Sequence, residues 1–275
     1  MNAVARKIAF VGGGNMARSL IGGLIHAGAT AKSIAVAEPN EDLRTALVGD
    51  FGVIGCETGA DAASEADVIV LAVKPQVMKP VCESLREIAQ ARRPLIVSIA
   101  AGIRIAQIDA WFGGGQAVVR TMPNTPALIG AGASALCASG HVSAAQRDAA
   151  QDILAAAGIA EWIDDEALMD TVTALSGSGP AYFFLLVEAL ENAAVEQGLP
   201  RAVARALAAQ TCLGAGRMLR ESGEAPAVLR QRVTSPNGTT QAALESFEAD
   251  DLRAIVMRAV AAATRRGGEL SSQFD

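Results

Sequence analysis

The sequence is poor in the residues that metal sites, disulfide frameworks and acid–base catalysis most often use. It contains two histidines, His26 and His141, and four cysteines, none of which forms a CxxC pair. Zinc knuckles and thioredoxin-like redox motifs need closely spaced ligands or thiols, so both are excluded. The carboxylates do not cluster either, and we expect no metal site. We expect buried or neutral thiols at Cys56, Cys82, Cys137 and Cys212.

Long apolar runs and excess positive charge are also missing. The apolar runs, Tyr182–Val187 and Ala259–Ala263 among them, are well short of the roughly 18 residues that a membrane span needs. The beginning of the sequence lacks the long apolar stretch and cleavage site of a signal peptide. With 23 Lys and Arg against 29 Asp and Glu, the net charge is −6, which disfavours nucleic acid or an anionic membrane as a partner. We therefore expect a soluble cytoplasmic protein.

The first part of the chain alternates short apolar runs with amphipathic stretches. This alternation predicts a doubly wound α/β domain of the Rossmann type. Two of the runs, Asp67–Val73 and Pro94–Ile99, are almost wholly apolar, which is typical of strands buried on both faces of a parallel sheet. Strands are predicted at Lys7–Val11, Ser33–Ala37, Asp67–Val73, Pro94–Ile99 and Gln116–Arg120, and helices at Asn15–His26, Glu41–Gly49, Gln76–Ala91 and Ser143–Ala157.

The second part reads as helices alone. We place the boundary near Asp164, which gives a dinucleotide-binding domain at 1–164 and an all-α domain at 165–275. A helical domain of this size with long apolar faces is expected to bury them against a second copy. The predicted helices are Glu166–Leu175, Ala181–Gln197, Arg201–Glu221, Ala225–Val233, Thr239–Phe247 and Asp251–Gly267.

A G-x-G-x-x-A pattern follows the first predicted strand and opens a helix. Gly12 allows the tight turn, Gly14 lets a pyrophosphate approach the backbone, and Ala17 lets the helix pack closely on the strand. Asn15 and Met16 complete the helix start, whose N-terminus favours the phosphate charge. The motif predicts binding of a nicotinamide dinucleotide.

Glu38 follows the second predicted strand, 26 residues after Gly12. A carboxylate at this place accepts hydrogen bonds from the ribose hydroxyls of NAD and disfavours the 2′-phosphate of NADP. Arg44, in the next helix, is close enough in sequence to reach such a phosphate. The alternative is that Glu38 only starts the helix beside Pro39 and Asn40.

Three further loops follow predicted strands, where the carboxyl ends of parallel strands border a ligand crevice. They are Ala72–Gln76, Ser98–Gly102 and Arg120–Pro126. Amide and hydroxyl groups in the third loop are suited to placing a nicotinamide, although each loop is equally compatible with an ordinary βα turn. The candidate cofactor contacts are Ala72, Val73, Lys74 and Pro75 in the first loop, Ala100 in the second and Asn124 in the third.

Two polar, glycine-rich stretches interrupt the helical part, at Leu175–Tyr182 and Val233–Thr240. Each presents backbone N–H groups and hydroxyls at a predicted helix N-terminus, which suits a small carboxylate. The alternative is plain helix capping by Ser178 and Ser235.

The second part contains no lysine and no histidine, since the last of these are Lys79 and His141. A hydroxyacid dehydrogenase normally uses such a group to move the alcohol proton. An imine needs less help, because its nitrogen carries the proton itself while the protein positions the substrate. The composition therefore favours reduction of a C=N bond.

Together these motifs resemble the delta-1-pyrroline-5-carboxylate reductases over nearly the whole chain. The resemblance implies NAD(P)H-dependent reduction of a cyclic imine, 1-pyrroline-5-carboxylate, to L-proline. It also implies a Rossmann domain and a helical domain that interleaves with a second subunit, an active site at the dimer interface, and further assembly, often to decamers. The matching segments are Phe10–Ala17, Leu71–Gln76, Arg120–Pro126, Leu175–Tyr182, Gly198–Arg201 and Val233–Thr240.

The resemblance also implies roles for single residues. Ser235 and the backbone of Gly238 and Thr239 would hold the substrate carboxylate, Thr240 would hydrogen-bond the ring nitrogen, and Ser178 would contribute to the substrate site. Two departures stand out. Asn237 replaces a glycine found in many relatives, and Glu38 replaces the hydroxyl or basic group that NADPH-preferring members tend to have, so NADH is expected beside NADPH.

Two other functions remain open from the residues alone. A β-hydroxyacid dehydrogenase of the same architecture is disfavoured by the absence of a lysine in Ala181–Gln197. A dinucleotide-binding redox sensor is disfavoured by the two carboxylate-suited loops, which a sensor does not need.

Overall fold

The computed structural model describes residues 6–274, so 1–5 and 275, which end the predicted domains, lie outside the described residues. Two compact units are present. The first comprises the described residues before Ser178 together with those from Ala263 onward, and the second is Ser178–Ala262. Packing thus divides the chain after Gly177, whereas the sequence pattern predicts a boundary near Asp164. The segment between them packs with the first unit because Glu166 binds Arg120 and the Ile105 N–H, and the Ser176 carbonyl binds Asn124.

The first unit is built on one eight-stranded sheet. Its strand order is 3-2-1-4-5-6-7-8, and all neighbours are parallel except the antiparallel pair of the sixth and seventh strands. This confirms the Rossmann-like α/β class. The strands are β1 Ile8–Val11, β2 Ile34–Ala37, β3 Ile54–Cys56, β4 Val68–Leu71, β5 Leu95–Ser98, β6 Ala117–Met122, β7 Gly132–Ala138 and β8 Gly158–Trp162.

Helices cover both faces of this sheet and bury an apolar core on each. One core lies under the first, second and seventh helices, and the other lies under the third to sixth. Strands β1, β4 and β5 are buried on both faces. This explains why their sequences are wholly or almost wholly apolar. The helices are α1 Asn15–His26, α2 Glu41–Phe51, α3 Gly59–Ala63, α4 Pro75–Ser84, α5 Arg86–Arg92, α6 Ile105–Trp111 and α7 Ala144–Ala155.

Several details of the first unit differ from the sequence prediction, which also lacked β3, α3 and α6. The helix predicted over Gln76–Ala91 is two helices, α4 and α5, which meet at Leu85. Strand β7 was not predicted, because its sequence GASALCA lacks the β-branched and aromatic residues that favour strands. It forms because it pairs with β6 and β8.

The rest of the chain is helical, as predicted. Arg201–Glu221 has the predicted bounds, whereas the helix predicted over Glu166–Leu175 is a 3₁₀ turn Glu166–Leu168, a short α-helix and a π-helical turn Thr173–Gly177. No helix in residues 6–274 is long and apolar enough to cross a membrane. The helices are α8 Met169–Val172, α9 Gly179–Glu196, α10 Arg201–Glu221, α11 Pro226–Arg232, α12 Thr239–Ala249 and α13 Leu252–Ser271.

Candidate active site

The turn after β1 requires glycine at its first position. Gly12 has a φ of 104°, a conformation that L residues rarely adopt. A Cβ at this position would also lie 2.6 Å from the carbonyl oxygen of Ala72. The chain therefore turns tightly from β1 into α1, as the glycine motif predicts.

The second glycine and the helix after it form an open anion-binding position. Apart from its chain neighbours and its own helix, no described atom lies within 4 Å of a Cβ built on Gly14. This residue is the N-cap of α1, and no side chain caps the first turn, which begins with Asn15 and Met16. Ala17 is fully buried. Free backbone N–H groups at a helix N-terminus favour a phosphate, so these residues fit a dinucleotide pyrophosphate.

Glu38 lies against this glycine turn. Its Oε2 accepts a hydrogen bond from the Gly13 N–H at 2.9 Å, and its Oε1 accepts one from the Asn40 N–H at 3.0 Å. Each carboxylate oxygen retains capacity for a further donor, such as a ribose hydroxyl. Arg44 donates to the Glu38 carbonyl at 2.7 Å and has Nη2 3.6 Å from the Glu57 carboxylate. The guanidinium is thus held beside the end of β2, close to Glu38.

The first of the three loops borders the crevice where the strand order reverses. Strands β1 and β4 are neighbours, and the chain winds away from this pair in opposite directions. Ligands of open α/β sheets bind outside the carboxyl ends of the strands at such a point. Ala72 and Val73 follow β4 here, and exposed Lys74 and half-buried Pro75 begin α4. The structure therefore brings this predicted segment beside Gly12.

The second loop is fixed by buried hydrogen bonds and an ion pair that the sequence did not indicate. Thr121 Oγ1 donates to the Ser98 carbonyl at 3.0 Å. Further along, Glu166 Oε1 accepts both from Arg120 Nη1 at 2.9 Å and from the Ile105 N–H at 2.8 Å. These bonds hold the segment after β5. The Ala100 side chain in this segment is itself buried, so only its backbone is suited to face a cofactor.

Asn124, in the third loop, makes different contacts from those predicted. Its side chain is only 8% exposed. Nδ2 donates to the Ser176 carbonyl at 2.9 Å, and Oδ1 accepts from the Ala133 N–H at 2.9 Å. The amide thus binds two backbone groups of the first unit, and its assignment to the cofactor remains a prediction.

The segment 235–240 of the second unit forms a tight turn before α12. Gly238 N–H donates to the Ser235 carbonyl at 3.0 Å, so this N–H is used within the turn. Asn237 has a φ of 57°, which explains why glycine or asparagine is suited to this position. Gly238 is the N-cap of α12 and has no side chain with which to cap the helix, and among the described residues no other side chain accepts a hydrogen bond from the N–H groups of the first turn. The N–H groups of Thr239 and Thr240 are therefore the ones suited to bind a carboxylate.

Helix capping does not account for the hydroxyl groups assigned to the substrate. Ser178 occupies the N-cap position of α9 without a side-chain hydrogen bond to that helix. Within residues 6–274, no hydrogen bond engages the hydroxyls of Ser178, Ser235 or Thr240. Each is at least partly exposed, so each is accessible to a ligand.

Three of the four cysteines have the environments of structural thiols. All four are free. Burial raises the pKa of the Cys82 thiol to about 12, and it also raises the pKa of Cys56 and Cys137. A thiol with a raised pKa is a poor nucleophile at neutral pH. In the described part of the chain, no group of three His, Cys, Asp or Glu side chains is placed to hold a metal ion.

Two family models match separate parts of the chain. The dimerisation domain of pyrroline-5-carboxylate reductases matches residues 166–270, and the family described as NADP oxidoreductase, coenzyme F420-dependent, matches residues 7–102. The pyrroline-5-carboxylate reductase of Pseudomonas aeruginosa is 52% identical over 270 residues, which cover 98% of each chain. The Arabidopsis thaliana enzyme is 39% identical over 96% of this chain and 95% of its own.

Solved structures give the same pattern. A pyrroline-5-carboxylate reductase from Coxiella burnetii has a TM-score of 0.95 at 41% identity, covering 97% of this chain and 98% of its own. The Plasmodium falciparum enzyme with NADP bound has a TM-score of 0.83 at 30% identity, with coverage of 97% and 98%. A Mycobacterium tuberculosis 3-hydroxyisobutyrate dehydrogenase, at 17% identity and a TM-score of 0.52, shares the fold alone; it covers 98% of this chain and 94% of its own.

Proposed function

The chain belongs to the pyrroline-5-carboxylate reductase family, and we propose that it binds its substrate carboxylate at the turn 235–240 and its cofactor at the glycine turn after β1. It reduces 1-pyrroline-5-carboxylate to L-proline with NADPH or NADH, the last step of proline biosynthesis. The observation that carries the proposed substrate site is the uncapped first turn of α12, beside the unengaged hydroxyls of Ser235 and Thr240.

The proposed cofactor site lies at the carboxyl ends of the strands of the first unit. The pyrophosphate lies at Gly14, Asn15, Met16 and Ala17, where the α1 N-terminus is open. Glu38 accepts from the adenosine ribose, and its charge allows NADH to compete with NADPH. Further contacts come from the residues that follow β4 and β5, namely Ala72, Val73, Lys74, Pro75 and the backbone of Ala100.

The substrate half rests on the second unit. The carboxylate is bound by the Ser235 hydroxyl and the N–H groups of Thr239 and Thr240, while Gly238 shapes the turn through its bond to the Ser235 carbonyl. Ser178 supplies a further hydroxyl to the substrate. Thr240 Oγ1 hydrogen-bonds the ring nitrogen and keeps the ring oriented.

Reduction adds a hydride to the imine carbon and a proton to the nitrogen. Bound NADPH or NADH supplies the hydride. The iminium form of the substrate already carries the proton on nitrogen, so the protein needs no lysine or histidine at this point. Thr240 holds the nitrogen while the C=N bond becomes a single bond. Its hydrogen bond to the nitrogen therefore stabilises the transition state.

A homo-oligomer is indicated by the dimerisation domain at 166–270, and we propose that the unit is a homodimer that assembles further, to a decamer. The second unit supports this with apolar side chains exposed along α9, α10 and α13. The proposed location is the cytoplasm, where the four free cysteines would remain reduced.

The experiment that tests the proposed site replaces Thr240 with valine, which keeps the shape and deletes the hydroxyl. A hydrogen bond to a charged group contributes roughly 1.5–3 kcal/mol, so kcat/KM for pyrroline-5-carboxylate should fall about 10- to 150-fold. Cofactor affinity should stay near the wild-type value, since Thr240 belongs to the second unit. Steady-state kinetics and the melting temperature are measured together.

Thr239→Val is the matched control, because only the backbone N–H of Thr239 is assigned to the substrate. A Thr240→Val enzyme with a lowered melting temperature and full activity would assign Thr240 to helix stability and remove it from the site.

A further inference from the structure

The backbone carbonyl of Ser176 has no α-helical donor. In an α-helix the carbonyl of residue i accepts from the N–H of residue i+4, which here is Pro180. Proline has no N–H, and its ring clashes with that carbonyl in a regular helix. The chain forms a π-helical turn at Thr173–Gly177 instead, and single π-turns of this kind are frequent at functional sites.

Asn124 supplies the missing donor from a distant part of the sequence. Its Nδ2 lies 2.9 Å from the Ser176 oxygen, while its Oδ1 takes the Ala133 N–H at 2.9 Å. Only this orientation of the amide satisfies both a carbonyl and an N–H, so donor and acceptor are assigned by the network. Because the side chain is buried, losing it would leave two backbone groups without partners.

A second contact brings the same two segments together. A Cβ built on Gly177 would lie 2.5 Å from the Cε of Met122, so the π-turn packs directly on the end of β6. Ser176 Oγ and Thr173 Oγ1 donate to the carbonyls of Val172 and Met169, four residues earlier in α8. Among the described residues, the hydrogen bond from Asn124 is therefore the only one that joins Ser176 to the loop after β6.

We propose that Asn124 is a positioning residue: its amide replaces the donor that Pro180 lacks and fixes the π-turn whose last residue, Gly177, is joined to Ser178. This rests on the proposed role of Ser178 in the substrate site. On this basis the side chain of Asn124 acts on the substrate step through the turn, and binding of the cofactor does not depend on it.

The kinetic test compares Asn124→Ala and Asn124→Asp with the wild type. Asp keeps an acceptor for the Ala133 N–H, loses the donor to Ser176 and places a charged oxygen against the Ser176 carbonyl, whereas Ala removes both hydrogen bonds without adding a charge. Since small misplacements of positioning groups reduce rates by up to about a hundredfold, we expect kcat/KM for pyrroline-5-carboxylate to fall about 10- to 100-fold. The dissociation constant of NADPH, measured by titration, should stay within about twofold of the wild type.

Ser143→Ala is the matched control. It removes the side-chain cap of α7, lowers the melting temperature, and should leave both constants unchanged. A large rise in the NADPH dissociation constant of the Asn124 variants would make Asn124 a cofactor ligand and overturn the proposal. Unchanged kinetics in both variants would overturn it equally.

A double-mutant cycle with Pro180→Ala separates this inference from the proposed function. Alanine restores the N–H at position 180, so the Ser176 carbonyl regains its helical donor and the Asn124 amide becomes less needed. Asn124→Asp should then lower the free energy of unfolding less in the Pro180→Ala background than in the wild type. Equal losses in both backgrounds would overturn the proposal, whatever Ser178 and Thr240 do in catalysis.

Discussion

The two compact units of this chain differ in how completely they bury their own apolar side chains. In the first unit, helices close both faces of the sheet over large aliphatic and aromatic residues such as Phe10 and Phe112. Within Ser178–Ala262, Ala204 is the only buried apolar side chain. Phe184, at 68% exposure, is typical of what the second unit leaves uncovered.

This difference separates two kinds of site. The glycine turn of the first unit is shaped by contacts inside that unit, such as those of Gly12 with Ala72 and of Glu38 with Gly13. The turn 235–240 belongs to a unit whose helices need cover from outside. We therefore expect cofactor binding to survive changes that disrupt assembly, and substrate turnover to be sensitive to them.

The largest effect is expected from a charge on the exposed face of α9. Phe184→Glu places a carboxylate where the proposed dimer buries an aromatic ring. Buried aromatic residues at interfaces often contribute 2 kcal/mol or more, so the dimer dissociation constant should rise at least about 30-fold. Sedimentation velocity over a concentration series measures the change, and NADPH titration should show the cofactor site intact.

Ile129→Glu is the control, because Ile129 is 83% exposed but belongs to the first unit. It should leave the oligomer unaltered. A Phe184→Glu protein that remains fully assembled and active at nanomolar concentration would disprove the proposed use of α9.

The second prediction concerns binding in the helical unit. Ser235→Ala removes the hydroxyl that we propose binds the substrate carboxylate, a group bound alike in the ground and transition states. KM for pyrroline-5-carboxylate should rise on the order of tenfold, with little change in kcat. Initial-rate kinetics at saturating cofactor measure both constants. A fall in kcat at constant KM would contradict this role.

The sequence predicts best what depends on neighbours in the chain. Asn15–His26 and Arg201–Glu221 have the predicted bounds because helical periodicity and terminal residues define them. Features that depend on distant partners were missed or assigned differently. Strand β7 exists through its pairing with β6 and β8, and Asn124 reaches Ser176, 52 positions away. No local pattern encodes such contacts.

The cofactor site offers the same distinction. The sequence predicts the tight glycine turn after β1 and the place of Glu38 after β2, since spacing after a strand is sufficient for both; that they bind a cofactor stays a prediction. It did not reveal that the Glu38 carboxylate also holds the Gly13 N–H, or that Arg120 and Glu166 are paired beneath the loop after β5. These contacts join segments that are adjacent only in the folded sheet.

The third prediction sharpens the view that the first unit determines cofactor choice by itself. Glu38→Gln removes the charge but keeps an oxygen that accepts from Gly13 N–H. The ratio of kcat/KM for NADPH to that for NADH should rise several-fold, on the order of 1 kcal/mol of removed repulsion. Glu38→Ser should shift the ratio in the same direction and also lose the bond to Gly13. An unchanged ratio in both variants would mean that Glu38 does not face the ribose.

The smallest effect is expected at Glu191, the one buried charged side chain of the second unit among the described residues. Arg205 and Arg201 donate to its carboxylate across α9 and α10, and these bonds hold the pKa of Glu191 below its ordinary value. A carboxyl whose folded pKa is lowered stabilises the fold above its unfolded pKa, and this contribution is lost as the pH falls through the folded pKa.

The melting temperature of Glu191→Gln should therefore be lower than that of the wild type at neutral pH. This difference in melting temperature should shrink as the pH falls below about 4, the ordinary pKa range of a glutamate. Thermal melts at fixed protein concentration measure it, because association also affects the melting temperature. Glu221→Gln is the matched control: its partner Arg217 lies one turn away in the same helix, on an exposed surface, where such pairs contribute little. If the two variants had the same change in melting temperature at every pH, the ion pairs of Glu191 with Arg201 and Arg205 would contribute no more than an exposed pair. The second unit would then depend still more completely on a partner subunit for its stability.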